Sequence, residues 1–196
     1  MTQTTRKLIL ASSSRYRREL LSRLNVGFEA ISPDVDETPL QGEAPEALAI
    51  RLAEMKAQAI AEQHPGALVI GSDQVPALPD GPLLSKPGSV QIARQQLAAQ
   101  SGSSVNFYTG VTVCCLETGF SESHTDLTSV HFRELTAEEI DAYIEAEQPL
   151  DCAGSFKSEG LGINLFNAIE NRDPTALIGL PMIWVAGALR RATNAG

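Results

Sequence analysis

The residues of this chain best suited to chemistry are one acid at the end of an apolar run, a cluster of serines with arginines, and several well-separated cations. The acid is Asp73, in Ala67-Leu-Val-Ile-Gly-Ser-Asp-Gln-Val75. Leu68 to Ile70 reads as a strand covered on both faces. The run is expected to break at Gly71-Ser72 and to deliver Asp73 just past its end. Open α/β sheets bind ligands outside the carboxyl ends of their strands. An acid placed there is rigidly held yet wet enough to ionise, as a general base must be. A turn-capping aspartate is the competing reading, and this stretch alone favours it.

Ser12-Ser13-Ser14 follows the apolar run Leu8 to Ala11 and precedes Arg15-Tyr-Arg-Arg-Glu-Leu-Leu-Ser-Arg-Leu24. A strand–serine–helix turn presents hydroxyls and unpaired N–H groups at the positive end of a helix, which suits a phosphate. Arg17, in the first turn, could fork onto phosphate oxygens. An ordinary capped helix with solvated arginines explains the same residues equally well. Asp34, Asp36 and Glu37 crowd one loop, and such carboxylates repel unless a cation or donors sit among them. Hard oxygen ligands of this kind suit Mg²⁺ or Mn²⁺ held jointly with phosphates, although solvated turn acids are the commoner case. Lys56 flanks a helical core stripe, where it either snorkels or reaches into a site. Lys86 precedes Pro87 and is held extended. Asp151 to Gly162 is glycine-rich and contains Lys157 and Glu159, so a ligand could approach its backbone closely; a tight structural connection is the alternative.

The elements that must position these residues follow from period and punctuation. Lys7 to Ala11 reads as a buried strand. Arg15 to Leu24 reads as a helix capped by Ser14, with Leu20, Leu21 and Leu24 on one face. Phe28 to Ser32 alternates as a short strand. Pro45 to Gln63 is the clearest helix, started near Pro45 and stopped by His64-Pro65-Gly66, with Leu48, Leu52, Met55 and Ala59 as its core stripe. Pro79-Asp-Gly-Pro82 signals a turn. Ser89 to Gln100 reads as a helix with Ile92 and Leu97 inward. Val105 to Glu117 and Ser121 to Arg133 form a hairpin about Thr118-Gly119, which makes the sheet mixed. Thr136-Ala-Glu-Glu139 is a capping box that opens a helix to Glu147. Gly179-Leu-Pro181 opens a final apolar helix through Leu189, closed by Arg190 and Arg191. The fold class is therefore α/β, a mixed central sheet flanked by helices, read as one continuous domain over residues 1–196, two-lobed at most.

Composition narrows the function. The chain has 196 residues, 43% hydrophobic and 20% charged, which is ordinary for a globular protein. Its net charge of −9 argues against a general nucleic-acid binder, but local cations could still hold an anionic small molecule. Cys114, Cys115 and Cys152 show no metal-ligand spacing and read as reduced, buried thiols of a cytoplasmic protein. Leu8 to Ala11 is too short for a signal peptide or a membrane span. No Gly-rich P-loop is present, which disfavours a Walker-type ATPase.

Ser12-x-Ser14-x-x-Arg17 after a first strand, Asp36-Glu37, the helical Lys56, Gly71-Ser-Asp73, Ser85-Lys86-Pro87 and the Ala153-Gly154 loop, in that order from Lys7 to Arg191, resemble the Maf family of nucleoside triphosphate pyrophosphatases. The resemblance implies a fold like that of inosine triphosphate pyrophosphatases, with a cleft between two lobes. It further implies a nucleotide as the small-molecule substrate, a divalent cation, and a homodimer. In the family's dTTP/UTP-hydrolysing branch the serine motif continues Pro-Arg, the catalytic Asp is followed by Thr and the late loop has Gln-Gly. Here the corresponding residues are Tyr16-Arg17, Asp73-Gln74 and Glu159-Gly160, a pattern that resembles the branch acting on 7-methyl-GTP. That branch often has Trp where this chain has Tyr16.

The resemblance implies a role for each residue. Asp73 is the catalytic acid, either general base or metal ligand. Ser12, Ser14, Arg17, Lys56 and Lys86 bind phosphate. Glu37, with Asp36, holds Mg²⁺ or Mn²⁺. Tyr16, Gln74 and Glu159 select the base. The chemistry is consistent: N7-methylated guanine is cationic and gains from an aromatic face, and its N1–H and amine form a donor pair for a carboxylate. A dTTP/UTP or other non-standard nucleotide pyrophosphatase, and a non-catalytic nucleotide-binding regulator of cell division, are the alternatives.

Overall fold

The computed structural model describes residues 6–79 and 82–194, so part of the Pro79–Pro82 turn lies outside the described residues. One mixed sheet carries six strands in the order β2-β1-β3-β4-β5-β6. They are β1 (Leu8–Ala11), β2 (Glu29–Ile31), β3 (Leu68–Ala77), β4 (Ser104–Cys115), β5 (Phe120–Phe132) and β6 (Phe166–Glu170). β1 runs parallel to β2 and β3, with Leu10 opposite Ala30 and Ile70, whereas β5 and β6 are antiparallel. The expected α/β class with a mixed sheet is what forms. Five helices accompany it: α1 (Arg15–Ser22), α2 (Pro45–Ala61), α3 (Val90–Gln100), α4 (Ala137–Glu147) and α5 (Met182–Asn194).

The chain divides into two compact units: Met1–Gln74, Thr109–Asp126 and Asp173–Gly196 in the first, Val75–Tyr108 and Leu127–Arg172 in the second. In the first unit β1 alternates in the manner of a strand covered on both faces. Leu8 and Leu10 join a cluster with Leu20 and Leu21 of α1 and Val185, Ala188 and Leu189 of α5. Ile9 and Ala11 join Ala57, Ile60 and Ala61 of α2 on the other side. α1 begins at its Ser14 cap as expected.

The buried face of α2 differs from the expected stripe. Leu48, Ala49, Leu52, Ala53, Lys56, Ala57 and Ile60 are buried, whereas Met55 and Ala59 are only half-buried. Close packing on glycine is the cause. A Cβ on Gly71 would stand 2.2 Å from the Ala53 carbonyl, and one on Gly110 would stand 2.3 Å from the Ala49 carbonyl. The helix lays its alanine side against two glycines and turns Met55 aside. The same packing corrects the reading of Gly71 as a strand break. β3 continues through it for ten residues, and Asp73 sits inside the strand.

α5 carries the expected Arg191 in its last turn and runs on a little further. Arg191 forks onto both Glu122 carboxylate oxygens, with Nη2 2.6 Å from Oε2 and Nε 3.0 Å from Oε1, and Ala192 packs in the core, so the helix continues to Asn194.

The second unit is built on aromatic rings. Phe107, Phe132, Phe156 and Phe166 meet edge to face with centroids 4.9–5.5 Å apart, the arrangement that ring quadrupoles favour. α3 starts at its Ser89 cap, and Ala93, Leu97 and Gln100 face inward at helical spacing. Ile92 faces outward, 43% exposed, contrary to expectation; five residues of helix separate it from Leu97 by nearly half a turn, so the two cannot share a face. α4 opens with the expected capping box, Thr136 and Glu139 each accepting the other's backbone N–H.

Cys114 and Cys115 are buried thiols; Cys152 is also a thiol but only half-buried, which corrects the expectation for that residue. No described helix is long and apolar enough to cross a membrane.

Candidate active site

Everything at the candidate site in the first unit turns on Lys56. Gly71 lets α2 close onto β3, and the lysine's Nζ donates to Asp73 Oδ1 at 2.6 Å and to Glu37 Oε1 at 2.6 Å. Lys56 is 6% exposed, so its pairing with Asp73 is shielded from water and weakly screened, whereas the Glu37 side lies open to solvent. An ammonium has three donors; two are engaged here, and one is left for an incoming acceptor. The Asp73 side chain stays 14% exposed and that of Glu37 59% exposed. The expectation of a lysine beside the core stripe is therefore corrected: Lys56 lies within the buried face and reaches through it to two acids.

The serine turn supplies a second cation. Ser14 Oγ accepts the Arg17 N–H at 3.4 Å, and Ser12 Oγ accepts the Ser14 N–H at 3.1 Å. Arg17 Nη1 donates to Ser12 Oγ at 3.4 Å, while its Nε donates to the Gly179 carbonyl at 2.8 Å. Burial lowers the pKa of this guanidinium, opposed by the negative fields of Asp73 and Glu37; arginine remains charged under such shifts. The two carboxylates thus act on two cations brought in from different helices. Tyr16, beside Arg17, carries the Arg15 guanidinium over its ring, 4.6 Å from the centroid, and its hydroxyl accepts from Arg15 Nη2 at 2.6 Å.

The sequence reading missed the residues that hold Arg17 in place. Ser72, fully buried, shares its one hydroxyl proton between the Gly110 carbonyl at 2.7 Å and the Gly179 carbonyl at 3.0 Å. Gly179 adopts φ +114°, a backbone conformation that disfavours side chains. Asp173, 3% exposed, accepts the Thr175 N–H at 2.9 Å, the Thr175 hydroxyl at 2.6 Å and the Ile183 N–H at 2.6 Å. A charged acceptor saturated by donors in this way fixes the 173–183 segment. Its sequence signal was Asp-Pro-Thr, an Asx-turn pattern. Gln74 serves the same segment: its amide donates to the carbonyls of Ala176 and Leu177 at 3.1 and 2.9 Å and to Thr109 Oγ1 at 3.1 Å.

The acid loop is tied down separately. Arg51 on α2 forks onto Glu43 at 2.6 and 2.8 Å and donates to the Thr38 carbonyl at 3.1 Å. The guanidinium holds the Glu43 carboxyl at about 2, well below the usual range. Asp36 Oδ1 accepts the Thr38 N–H at 2.9 Å, and hydrogen bonding to Thr38 also lowers its pKa.

The donor set fits a hard divalent ion. Glu37 Oε1 and Asp73 Oδ1 converge on one cationic position, now the ammonium, at equal distance. Among the described residues there is no group of three or more His, Cys, Asp or Glu suited to a metal. Mg²⁺ needs only one or two protein carboxylates when phosphates and waters complete its shell.

Lys86 and Glu159 belong to the second unit. Both are exposed, Lys86 in irregular backbone before Pro87 and Glu159 between two short 3-10 turns, Ala153–Ser155 and Leu161–Leu165. Ser12, Ser14, Tyr16, Arg17, Asp36, Glu37, Lys56, Asp73 and Gln74 all fall in the first.

Comparison with known proteins matches residues 7–192 to a family described as Maf-like protein. A relative from Albidiferax ferrireducens, 7-methyl-GTP pyrophosphatase, is 56% identical over 187 residues, 95% of this chain and 94% of its own length. Another of that name, from Xanthomonas oryzae pv. oryzae, is 57% identical over 187 residues, 95% of this chain and 96% of its own. Among solved structures, the Staphylococcus aureus Ham1 protein aligns with a TM-score of 0.46 at 13% identity, covering 80% of this chain and 90% of that one.

Proposed function

This chain belongs to the Maf-like protein family, and from that premise we propose that it hydrolyses 7-methyl-GTP to 7-methyl-GMP and pyrophosphate. The observation that carries the reading is the shared Lys56 ammonium, bonded to both Asp73 and Glu37 at 2.6 Å with Arg17 held nearby through Gly179. Such an arrangement pairs cations for a polyphosphate with a partly exposed carboxylate for water. The names of the relatives, at more than half identity over nearly the whole chain, support the substrate.

In this mechanism the triphosphate lies against the Ser12–Arg17 turn. Arg17 and the third donor of Lys56 neutralise phosphate oxygens. Asp73 orients the attacking water and takes its proton on Oδ2, since Oδ1 is bonded to Lys56. Positioned base catalysis of this kind is worth roughly 10²–10⁴-fold. Water adds to phosphorus, the α–β anhydride breaks, and pyrophosphate leaves. Glu37, with Asp36 beside it, would hold Mg²⁺ or Mn²⁺, which would offset charge on the phosphate oxygens and the leaving group. To Glu159 we assign the donor pair of the base and its positive charge.

Pyrophosphate release from 7-methyl-GTP, GTP, dTTP, UTP and ITP tests the reading. The highest kcat/KM is expected for 7-methyl-GTP. Preference for dTTP or UTP would reassign the substrate, and no pyrophosphate from any of the five would leave a binding protein.

A further inference from the structure

The loop that carries Glu159 is held by an acid with no part in the mechanism above. Glu147 is the last residue of α4. Its Oε2 accepts the Leu161 N–H at 2.8 Å, and its Oε1 lies 3.5 Å from the Lys157 ammonium. Lys157 Nζ also donates to the Glu147 carbonyl at 2.8 Å, satisfying a carbonyl at the helix end. Leu161 and Lys157 stand two residues either side of Glu159, so one carboxylate grips both limbs of the loop.

The loop is closed on itself as well. Lys157's carbonyl accepts the Gly160 and Gly162 N–H groups at 3.3 and 3.1 Å, and its N–H donates to the Tyr143 hydroxyl at 3.0 Å. The glycine between Glu159 and Leu161 has a steric purpose: a Cβ on Gly160 would stand 2.6 Å from Glu147 Oε2. Gly160 is thus the residue that admits the carboxylate. With 18% of its side chain exposed, Glu147 is shielded, while Glu159 between its anchors is exposed.

We infer that Glu147 is a positioning residue for substrate selection, fixing the loop so that the Glu159 carboxylate meets the base in one orientation. The inference rests on Glu159 as the base reader. A carboxylate reading a donor pair must be placed to within fractions of an ångström, and loss of about 1 Å in placement costs on the order of 10²-fold. A loop free to move would still leave the phosphates held; GTP offers the same donor pair, so the loss peculiar to 7-methyl-GTP is that of the charge offset on its cationic base.

The test measures kcat/KM for 7-methyl-GTP and GTP in wild type, Glu159→Gln, Glu147→Ala, Glu147→Gln and Gly160→Ala, with melting temperature and amide exchange at Leu161 alongside. Glu147→Ala is expected to lower the 7-methyl-GTP to GTP ratio about tenfold and to expose the Leu161 N–H to exchange. Gln keeps an acceptor for Leu161, so Glu147→Gln should restore most of the ratio. Gly160→Ala displaces only the far end of a flexible side chain, so it should fold and still lose selectivity. If Glu159→Gln lowers the ratio and neither Glu147→Ala nor Gly160→Ala does, the positioning role is overturned and the base reader stands. If Glu159→Gln leaves the ratio unchanged, the base reader is wrong and the positioning role falls with it. Equal loss on both nucleotides with a lowered melting temperature would make Glu147 merely structural.

Discussion

The cluster around Lys56 and the loop around Glu159 solve the same problem, holding a charged group still, in opposite ways. At the first, the anchoring groups are buried: Lys56 and Ser72 are at most 6% exposed, and each has two partners. At the second, the functional acid is exposed and only its neighbours are held, by Glu147. The difference matches what each is proposed to meet. A triphosphate is the same in every nucleotide, so its ligands gain from a rigid, weakly screened setting. Bases vary, and the residue that reads them sits on backbone that substitution can reshape without disturbing a core. Phosphate chemistry and base choice should therefore separate under mutation.

The sharpest break of that separation is Lys56→Met. It removes the shared cation and leaves Asp73 and Glu37 with Arg17 alone to offset their charge. Turnover should fall on the order of 10²–10³-fold for every nucleotide, with the 7-methyl-GTP to GTP ratio unchanged; steady-state pyrophosphate release reads both. Arg17→Lys keeps the charge but loses the fork between Ser12 and Gly179, and a loss of roughly ten- to hundredfold, again equal across bases, is expected. Glu159→Gln should do the reverse. The same assay should show about a tenfold drop in the 7-methyl-GTP to GTP ratio, because only the methylated base is cationic and loses the charge offset, while the Gln oxygen still accepts from the donor pair common to both. A ratio that moved with Lys56→Met, or a uniform loss with Glu159→Gln, would erase the distinction between the two regions.

The smallest effect concerns the acid loop. Glu43 has a folded-state pKa of about 2, depressed by Arg51 below its ordinary 4.5. The stabilisation is therefore fully present above the unfolded value and is lost as pH falls through the folded one. Glu43→Gln should melt earlier than wild type at neutral pH. The gap should close as the pH approaches about 2, as followed by thermal denaturation at a series of pH values.

The sequence was most informative where local rules act alone. Ser14 as a cap and the Thr136–Glu139 box depend only on neighbours in the chain, and each is in place. Gly71 misled, because the sequence shows a missing side chain but not the helix that fills its space. Read locally it breaks a strand; in the fold it lets Ala53 and Ala57 touch β3, and so brings Lys56 to Asp73. Asp173 and Ser72 were invisible as site-builders for a similar reason. Their partners at Gly179 and Ile183 lie on a segment whose path only tertiary contacts define. Glu147 was read as a helix end, and its grip on Leu161 spans fourteen residues of chain.

The central claim is that the Asp73 carboxylate, set beside the Lys56 and Arg17 cations, activates water against a bound triphosphate. The most direct test is Asp73→Asn, measured for melting temperature, for binding of a non-hydrolysable 7-methyl-GTP analogue and for pyrophosphate release. The account predicts an unchanged fold, retained binding and a loss of turnover of at least about 10²-fold. Pyrophosphate release at near wild-type rate from the Asp73→Asn protein would contradict it.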